Sequence, residues 1–215
     1  MSLQEDFLNA FFPETRAFFL TGGNALNLYY FKHRISEDLD CFTTDSVEFG
    51  RVQGLIAKTC GTIGATCVAK QDFTDFKRFL ISRNAEQIVV DCVYERVRQL
   101  YPEKRMIGKI RVDVPEEMVA NKLCALLGRT EYKDLVDLFV LQKNGFGAVE
   151  NLPAAAKKDG GLTAVSLAYA LENMDLSKMP DSLKSVVPMA ELERFRTDLR
   201  DHLLRAGFPG DPAIR

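Results

Sequence analysis

The sequence predicts an α/β (α+β) fold, a mixed sheet flanked by helices, with a helical subdomain at its C-terminal end. In the first 114 residues, short apolar segments of strand length alternate with segments of helical period. From Pro115 onward the helical period dominates and no further strand is indicated. Almost no linker separates the two parts, so we expect an α/β core over 1–114 and a helical subdomain over 115–215 that closes the same cleft.

Composition limits the kinds of partner that the chain can bind. Of the 215 residues, 47% are hydrophobic and 27% are charged, which suits a globular protein with a sizeable core. The formal net charge is −2, so no global positive field exists and any binding of nucleic acid must be local. No apolar run approaches the roughly 20 residues that span a membrane, and we expect no membrane partner.

The N-terminus and the cysteines favour a cytoplasmic protein. Acidic side chains precede the first basic one, unlike the start of a secretory signal. The five cysteines form no C-x-x-C pair, which argues against a zinc knuckle. Most of them lie in apolar runs, so we expect buried free thiols in a reducing compartment.

Each strand of the predicted sheet is an apolar or alternating run bounded by turn residues. Gly22 and Gly23 end the first run, and the tetrapeptide RNAE at 83–86 is typical of a hairpin turn between two later strands. The last run, at 109–112, is predicted as an edge strand. The predicted strands are 17–21, 39–43, 66–70, 76–82, 87–94 and 109–112.

The predicted helices carry apolar residues on one face, and several stop near a glycine. Gly128, Gly145 and Gly207 mark three of these ends. Three of the helices precede Pro115 and the other five form the helical subdomain. The predicted helices are 4–12, 24–32, 49–60, 116–129, 133–143, 148–157, 162–173 and 190–206.

The strand–Gly–Gly–helix segment at 17–32 points to an anion site. Free backbone N–H groups at a helix start attract phosphate, with help from the helix dipole. Glycine also lets a phosphate approach the backbone closely. Taken alone, however, Gly22 and Gly23 are explained more simply by an ordinary tight turn.

Asp38 and Asp40 lie two residues apart in a predicted strand, so both side chains point to the same face. A divalent cation would convert their repulsion into coordination, and Mg²⁺ favours one or two carboxylates together with phosphate oxygens and water. Leu39 and Cys41 then point into the core. A solvated strand end is the alternative for a D-x-D pattern taken alone.

A third carboxylate, Asp91, lies among valines in a later predicted strand. An unpaired carboxylate is costly to bury among such neighbours. If this strand lies beside the 39–43 strand, Asp91 completes a three-carboxylate cluster, which can hold two metal ions and polarise a phosphoryl group. The alternative is an ion pair between Asp91 and an arginine, Arg78 or Arg34.

The segment LTGGNALNLYYFKHRISEDLDCF resembles the first motif of the AbiEii-type nucleotidyltransferases, within the DNA polymerase β-type nucleotidyltransferase superfamily. That motif reads roughly GG-x-A-x-x-L, followed by HR-x-S-x-D-L-D. A second segment, NKLCALLGRTEYKDLVDLFVL, is similar to the family's K-L-x-A-L-x-x-R…KD-x-x-D-L stretch. The resemblance spans 15–145, and the tail beyond it carries no motif that we recognise. The matching residues of the first motif are Gly22, Gly23, Ala25, Leu28, His33, Arg34, Ser36, Asp38, Leu39 and Asp40.

The resemblance implies an enzyme that moves a nucleoside monophosphate from an NTP to an acceptor, with Mg²⁺ or Mn²⁺ as cofactor. Members of the family are toxins of bacterial abortive-infection and toxin–antitoxin pairs, so an antitoxin protein is an expected partner. The acceptor class stays open between RNA or tRNA, protein and a small molecule. The implied catalytic and metal-binding residues are Asp38, Asp40 and Asp91, and the implied nucleotide-binding residues are Thr21, Gly22, Gly23, Arg34, Ser36, Lys122 and Arg129.

The second motif places charged residues of both signs on predicted helices. Lys122 and Arg129 are seven residues apart and share one helix stripe, from which Lys122 would reach triphosphate oxygens in the cleft. Asp134 and Asp137 are three apart and also share a face. Their possible roles are to hold Lys122 or Arg129 in place, to cap a helix, or to contact the acceptor. A salt-bridged helix pair is the alternative.

The segment 95–111, ERVRQLYPEKRMIGKIR, is locally basic and suits a phosphate backbone of RNA. A solvated, charge-rich loop is an equal alternative. RNA binding through this segment should weaken steeply with salt and on replacement of Arg105 and Lys109.

A function of another class is a non-catalytic nucleotide-binding or partner-binding protein on the same scaffold. Intact acidic residues argue against it. A Rossmann-type dinucleotide binder is disfavoured because no G-x-G-x-x-G follows the first strand.

Overall fold

The computed structural model describes residues 2–36 and 38–209. The chain forms two compact units, Met1–Val114 and Pro115–Arg215. Residues 1, 37 and 210–215 of the two predicted parts lie outside the described residues. Closure of one cleft by both parts stays a prediction.

The first unit is built on one mixed sheet, which confirms the predicted fold class. Its seven described strands lie in the order β3-β4-β5-β2-β1-β7-β6. Strands β2 and β5 are parallel neighbours, as are β1 and β7, and the remaining neighbours are antiparallel. The strands are β1 (Phe19–Thr21), β2 (Asp38–Thr43), β3 (Thr66–Asp72), β4 (Phe76–Arg83), β5 (Glu86–Tyr94), β6 (Arg105–Ile107) and β7 (Ile110–Val112).

The predicted hairpin turn joins β4 to β5. Arg83 pairs with Glu86 at the end of the ladder, and Asn84 adopts the left-handed conformation with φ of 54°. Asparagine tolerates this conformation better than most residues, so the tight loop forms without glycine. The hairpin sets the register that brings β4 residues against β5.

The prediction of an edge strand at 109–112 was wrong in its position. Strand β7 pairs with β1 on one side and with β6 on the other, so β6 is the edge. A turn at Gly108, with φ of 61°, connects the two. Strand β6 has only three residues and stands among charged side chains, so its sequence carries no alternating apolar signal.

Three helices accompany the sheet. Helix α1 (Leu3–Phe11) begins with a capping box between Ser2 and Glu5, and α3 (Ser46–Ile63) begins at Asp45, whose carboxylate accepts two backbone N–H bonds. Helix α2 (Gly22–Ala25) continues as a π-helical segment, Leu26–Phe31. The sequence predicted that the two glycines precede this helix. In the structure they form the first turn of α2.

The core of the first unit is aromatic near α1. Phe11 contacts Phe7, Phe12 and Phe18, with ring centroids 5.3–5.5 Å apart. All four rings are almost completely buried, and burial of each contributes roughly 1.5–3 kcal/mol. This packing fixes the segment that leads into β1.

The second unit is helical. A short helix, α8, was not predicted, because its four residues show no helical period. In residues 2–36 and 38–209, no helix combines the length and the apolar character needed to cross a bilayer. The helices are α4 (Pro115–Arg129), α5 (Tyr132–Lys143), α6 (Ala148–Ala155), α7 (Ala164–Glu172), α8 (Asp181–Lys184) and α9 (Met189–Gly207).

Candidate active site

A row of polar residues crosses four neighbouring strands of the sheet. In the strand register, Arg78 on β4 lies opposite Asp91 on β5, and Asp91 lies opposite Asp40 on β2. Asp40 lies opposite Thr21 on β1. Paired residues point to the same face and neighbouring strands lie about 4.8 Å apart. The row therefore brings two predicted carboxylates together, as the sequence indicated.

Strand β2 separates its polar and apolar residues by alternation. Asp38 and Asp40 are half-buried on one face, whereas Leu39 and Cys41 on the other face are completely buried. Burial raises the pKa of the Cys41 thiol well above its usual value, with smaller contributions from Cys92, Asp40 and Asp91. The Cys41 thiol therefore stays neutral, and Asp38 and Asp40 are the ionisable groups of β2 that lie on its polar face.

Gly22 lies directly against Asp40. A Cβ atom built on Gly22 would be 2.2 Å from Asp40 Oδ2 and 2.9 Å from its Cγ. Gly22 also has φ of 70°, a conformation that favours glycine. The first turn of α2 is thus held next to the carboxylate cluster by a residue that tolerates no side chain.

Gly23 lies against two other predicted nucleotide-binding residues. A Cβ atom at Gly23 would be 2.2 Å from an Arg34 guanidinium nitrogen and 3.0 Å from Ser36 Oγ. Arg34 is only 8% exposed, and one of its nitrogens donates to the Ile35 carbonyl. A guanidinium, a hydroxyl and a glycine backbone therefore meet at one place, a combination that suits a phosphate group.

Asn24 is a positioning residue that the sequence analysis missed. Its side chain is 1% exposed and its Nδ2 donates to the carbonyl oxygens of Ser36 and Asp38, at 3.1 Å and 2.6 Å. These bonds tie the first turn of α2 to the start of β2. A single asparagine after two glycines is also typical of a turn, so its sequence gave no distinct signal.

Asp91 forms an ion pair with Arg78, one of the two arginines that the sequence offered as its partner. Arg78 Nε donates to one carboxylate oxygen at 2.7 Å and a terminal nitrogen donates to the other at 2.6 Å. The same terminal nitrogen lies 3.8 Å from Asp38 Oδ2. The role of Asp91 as a metal ligand stays a prediction.

Two of the three carboxylates fit a divalent cation. Asp38 and Asp40 share one face beside Gly22, and two carboxylates with phosphate and water oxygens satisfy Mg²⁺. Among residues 2–36 and 38–209, no three His, Cys, Asp or Glu side chains come together as a metal-binding group. Asp91 is opposite Asp40 and is engaged by the Arg78 guanidinium, and a metal site formed by all three carboxylates stays a prediction.

Thr21, predicted to bind nucleotide, is buried with its hydroxyl engaged. Thr21 Oγ1 donates to Asp113 Oδ2 at 2.9 Å, and Lys104 Nζ donates to the other Asp113 oxygen at 2.8 Å. Asp113 is completely buried and was not singled out in the sequence. Its contacts connect the start of α2 to the basic segment 95–111.

The predicted residues of the second motif form an ion-pair network inside the second unit. Lys122 Nζ lies 2.9 Å from Asp134 and 2.6 Å from Asp137, and both carboxylates are completely buried. Arg129 donates two hydrogen bonds to Asp134. Burial lowers the pKa of Lys122, but the charges of Asp137 and Asp134 outweigh this effect and raise it overall. The salt-bridged helix pair that the sequence allowed is present; nucleotide binding by these residues stays a prediction.

A basic cavity of about 710 Å³ lies in the first unit. Lys104 Nζ lies 4.2 Å from the Phe19 ring centroid, and burial together with the charge of Arg16 lowers the pKa of Arg111. Arg105 and Lys109 are exposed on the β6–β7 hairpin and do not line the cavity. The cations that line it are Arg16, Arg96, Arg98, Lys104 and Arg111.

Nearly the whole chain matches one known protein family. A family model described as "Nucleotidyl transferase AbiEii toxin, Type IV TA system" matches residues 6–210. The chain belongs to the AbiEii nucleotidyltransferase toxin family. The match extends well beyond 15–145, so the C-terminal helices are part of the AbiEii fold and not an unrelated tail.

Solved structures share the AbiEii architecture at low sequence identity. JHP933 from Helicobacter pylori has a TM-score of 0.59 and 21% identity, covering 95% of this chain and 92% of that one. MenT4, a nucleotidyltransferase toxin from Mycobacterium tuberculosis, has a TM-score of 0.56 and 16% identity, covering 97% and 84%. No curated protein sequence matches the chain. These similarities establish a shared fold over nearly the whole length.

Proposed function

We propose that this protein is a metal-dependent nucleotidyltransferase that transfers a nucleoside monophosphate from an NTP to an acceptor and releases pyrophosphate. The observation that carries the proposal is the contact between Asp40 and Gly22, beside Asp91 on the neighbouring strand. A carboxylate pair for a cation and a glycine turn for phosphate are thereby adjacent. Membership of a nucleotidyltransferase family supports the same reaction class.

Some residues of the first unit would bind the triphosphate of the nucleotide, and others would act on the groups that react. Gly22 and Gly23 let the triphosphate approach the backbone, and Arg34 with Ser36 binds its oxygens. An acceptor hydroxyl attacks the α-phosphorus, a new P–O bond forms, and the bond to the bridging oxygen of the β-phosphate breaks. Pyrophosphate leaves with that electron pair, and the carboxylate cluster that includes Asp91 receives the proton of the acceptor.

Asp38 and Asp40 would hold the divalent cation, Mg²⁺ or Mn²⁺. When bound, such an ion neutralises phosphate charge and polarises the phosphoryl group. In the second unit, Lys122 and Arg129 are further candidates for contact with the triphosphate, with Asp134 and Asp137 holding them or contacting the acceptor. Their mutual ion pairs keep this network charged and ordered.

RNA, with tRNA as one case, is the acceptor class that the basic cavity supports best. Five cations line the cavity, and Arg98 has neither a hydrogen bond nor an ion pair to any other described residue. Arg96 lies 5.5 Å from the Tyr94 ring centroid, so cation and aromatic surfaces alternate as nucleic acid requires. Protein and small-molecule acceptors are the competing classes.

Incubation of the purified protein with each labelled NTP, Mg²⁺ and total cell RNA, or protein, tests this function. We expect label in RNA, release of pyrophosphate, and loss of both in Asp40→Asn, because the cation loses a ligand. Circular dichroism checks that the variant folds. NTP binding without pyrophosphate release across these acceptors would favour a non-catalytic binding protein.

We also propose that the protein acts as a toxin in the cytoplasm and that an antitoxin counteracts it. The family description supports the toxin role, and the five free cysteines fit a reducing compartment. Consumption of NTP to modify RNA would stop growth. Both proposals depend on turnover at the carboxylate cluster.

Induced expression in a bacterial host is expected to arrest growth, and Asp40→Asn at equal abundance is expected to be harmless. Co-expression of the gene next to the toxin gene should restore growth. Equal growth arrest by the wild type and Asp40→Asn would show that toxicity does not come from nucleotidyl transfer.

A further inference from the structure

Arg78 engages the third carboxylate of the active site with both arms of its guanidinium group. The two hydrogen bonds to Asp91, at 2.7 Å and 2.6 Å, use both carboxylate oxygens. The Asp91 side chain is 7% exposed, so little water competes with this pair. Such bidentate pairs are among the stronger and more directional contacts in proteins.

The same guanidinium also lies near Asp38, a second carboxylate of the site. A terminal nitrogen is 3.8 Å from Asp38 Oδ2. An arginine guanidinium is not deprotonated in proteins. Arg78 therefore carries a permanent positive charge inside the carboxylate cluster.

The Arg78 side chain is 38% exposed, which distinguishes it from an arginine that serves only to neutralise a core carboxylate. It stands at the end of the residue row, beside the half-exposed carboxylates that face solvent. A second divalent cation at Asp91 would have to approach a guanidinium at contact distance. The repulsion between these like charges opposes a second ion.

We propose that Arg78 is a fixed counter-charge of the active site: it neutralises Asp91, so that Asp38 and Asp40 hold a single divalent cation during nucleotidyl transfer. This inference rests on the proposed function, because it specifies how that site is charged. Arg78 is a positioning residue here. One guanidinium and one divalent cation together balance the three carboxylates.

A count of bound Mn²⁺ tests this inference directly. Electron paramagnetic resonance would be recorded on the full chain with a non-hydrolysable NTP analogue. We expect one tightly bound Mn²⁺ per wild-type chain and two in Arg78→Gln. The second ion should show dipolar coupling to the first, because paired ions lie about 3.5–4 Å apart. Arg78→Gln/Asp91→Asn should return the count to one.

Asp40→Asn is the control for ions bound elsewhere, and it should lose the tight ion. Two coupled ions in the wild type would overturn the inference, as would a single ion in a folded Arg78→Gln. If Arg78→Gln does not fold, the wild-type count decides alone. Transfer activity with two wild-type ions refutes only this inference, whereas one ion without any transfer refutes only the proposed function.

Discussion

At Gly22 two separate constraints act on one residue. Its φ of 70° favours glycine, and its Cα lies where any Cβ would strike the Asp40 carboxylate. Strain in the left-handed region costs roughly 1–2 kcal/mol for other residues. Displacement of Asp40 would instead affect the chemistry, so the two effects can be separated by experiment.

Gly22→Ala should lower both stability and transfer. We expect a loss of roughly 1–2 kcal/mol in the free energy of unfolding from the backbone. The transfer rate should fall at least about 100-fold, because a shift of about 1 Å at a reacting group has that effect. Urea unfolding and the labelled-NTP assay measure the two quantities.

Gly64→Ala is the matched control for this variant. Gly64 has φ of 65°, and no atom lies within 4 Å of a Cβ built there. It should lose similar stability and keep full transfer activity. Equal activity losses in the two glycine variants would show that the contact with Asp40 is irrelevant.

Several residues of the site were predictable because their signal is local. Alternation in two apolar strands places Asp40 and Asp91 on polar faces, and the GG…D-x-D motif connects them to phosphate. The choice of Arg78 over Arg34 as partner of Asp91 follows from the β4–β5 register, because the hairpin turn at 83–86 places Arg78 opposite Asp91. The parallel pairing of β5 with β2, which brings Asp91 beside Asp40, has no such local signal. Register is set by packing of the whole sheet and the turn geometry.

At the scale of elements, ion pairs join α4 to α5. Lys122 and Arg129 from α4 contact Asp134 from α5, whose carboxylate is completely buried. Burial raises the pKa of Asp134, but hydrogen bonds from Arg129 and the charges of Lys122 and Arg129 outweigh it and lower the pKa overall. The ionised carboxylate therefore stabilises the fold.

Low pH should lower the stability of the second unit, and protonation of Asp134 should account for part of this loss. Because its folded pKa lies below the ordinary 3.8, its contribution is complete above about pH 3.8 and is lost as pH falls through the folded pKa. Asp134→Asn should cost roughly 3 kcal/mol at pH 7, with a smaller difference from the wild type in acid. Thermal unfolding between pH 3 and 7 measures this.

Asp181→Asn provides the control for Asp134. The Asp181 side chain on α8 is 96% exposed and forms a surface ion pair with Lys184. Its replacement should change the unfolding free energy by less than about 0.5 kcal/mol at any of these pH values. A pH-independent loss in Asp134→Asn would contradict the proposed contribution of ionisation.

Eight helices and six strands were predicted within a few residues, whereas β6 and α8 were missed. Length alone does not explain this, because β1 and β7 are as short as β6. The strands β1 and β7 lie in apolar runs of the sequence, whereas β6 and α8 stand among charged and polar residues that show no such run. The position of β7 inside the sheet depends on its parallel pairing with β1, which no local pattern reports.

For the whole molecule, the net charge of −2 conceals a separation of charge. Carboxylates gather on the β2–β5 face, whereas the basic cavity gathers five cations. For the RNA acceptor proposed above, long-range attraction would therefore be weak, and binding would depend on close contacts in the cavity.

Arg16→Ala/Arg98→Ala should weaken RNA binding and reduce its salt dependence. Each lost phosphate contact lowers the slope of log K against log salt by about 0.7–0.9. Arg105→Ala/Lys109→Ala should have a smaller effect, since these residues lie outside the cavity. Filter binding across a salt series measures both.

Arg51→Ala serves as the control for general charge loss, because Arg51 is 74% exposed on α3 and, among the described residues, pairs with Glu48 alone. Its affinity for RNA should equal that of the wild type. Binding that does not respond to salt would argue against a phosphate contact in the cavity.

The parallel pairing of β2 with β5 has a consequence for the timing of activity during protein synthesis. Asp40 and Asp91 meet only after the β3–β4–β5 segment has been made, and Thr21 meets Asp113 across 92 residues of sequence. A nascent chain still short of β5 cannot bring Asp91 beside Asp40 and the glycine turn. A ribosome that makes this toxin is therefore not exposed to an active enzyme until nearly the whole first unit has emerged and folded.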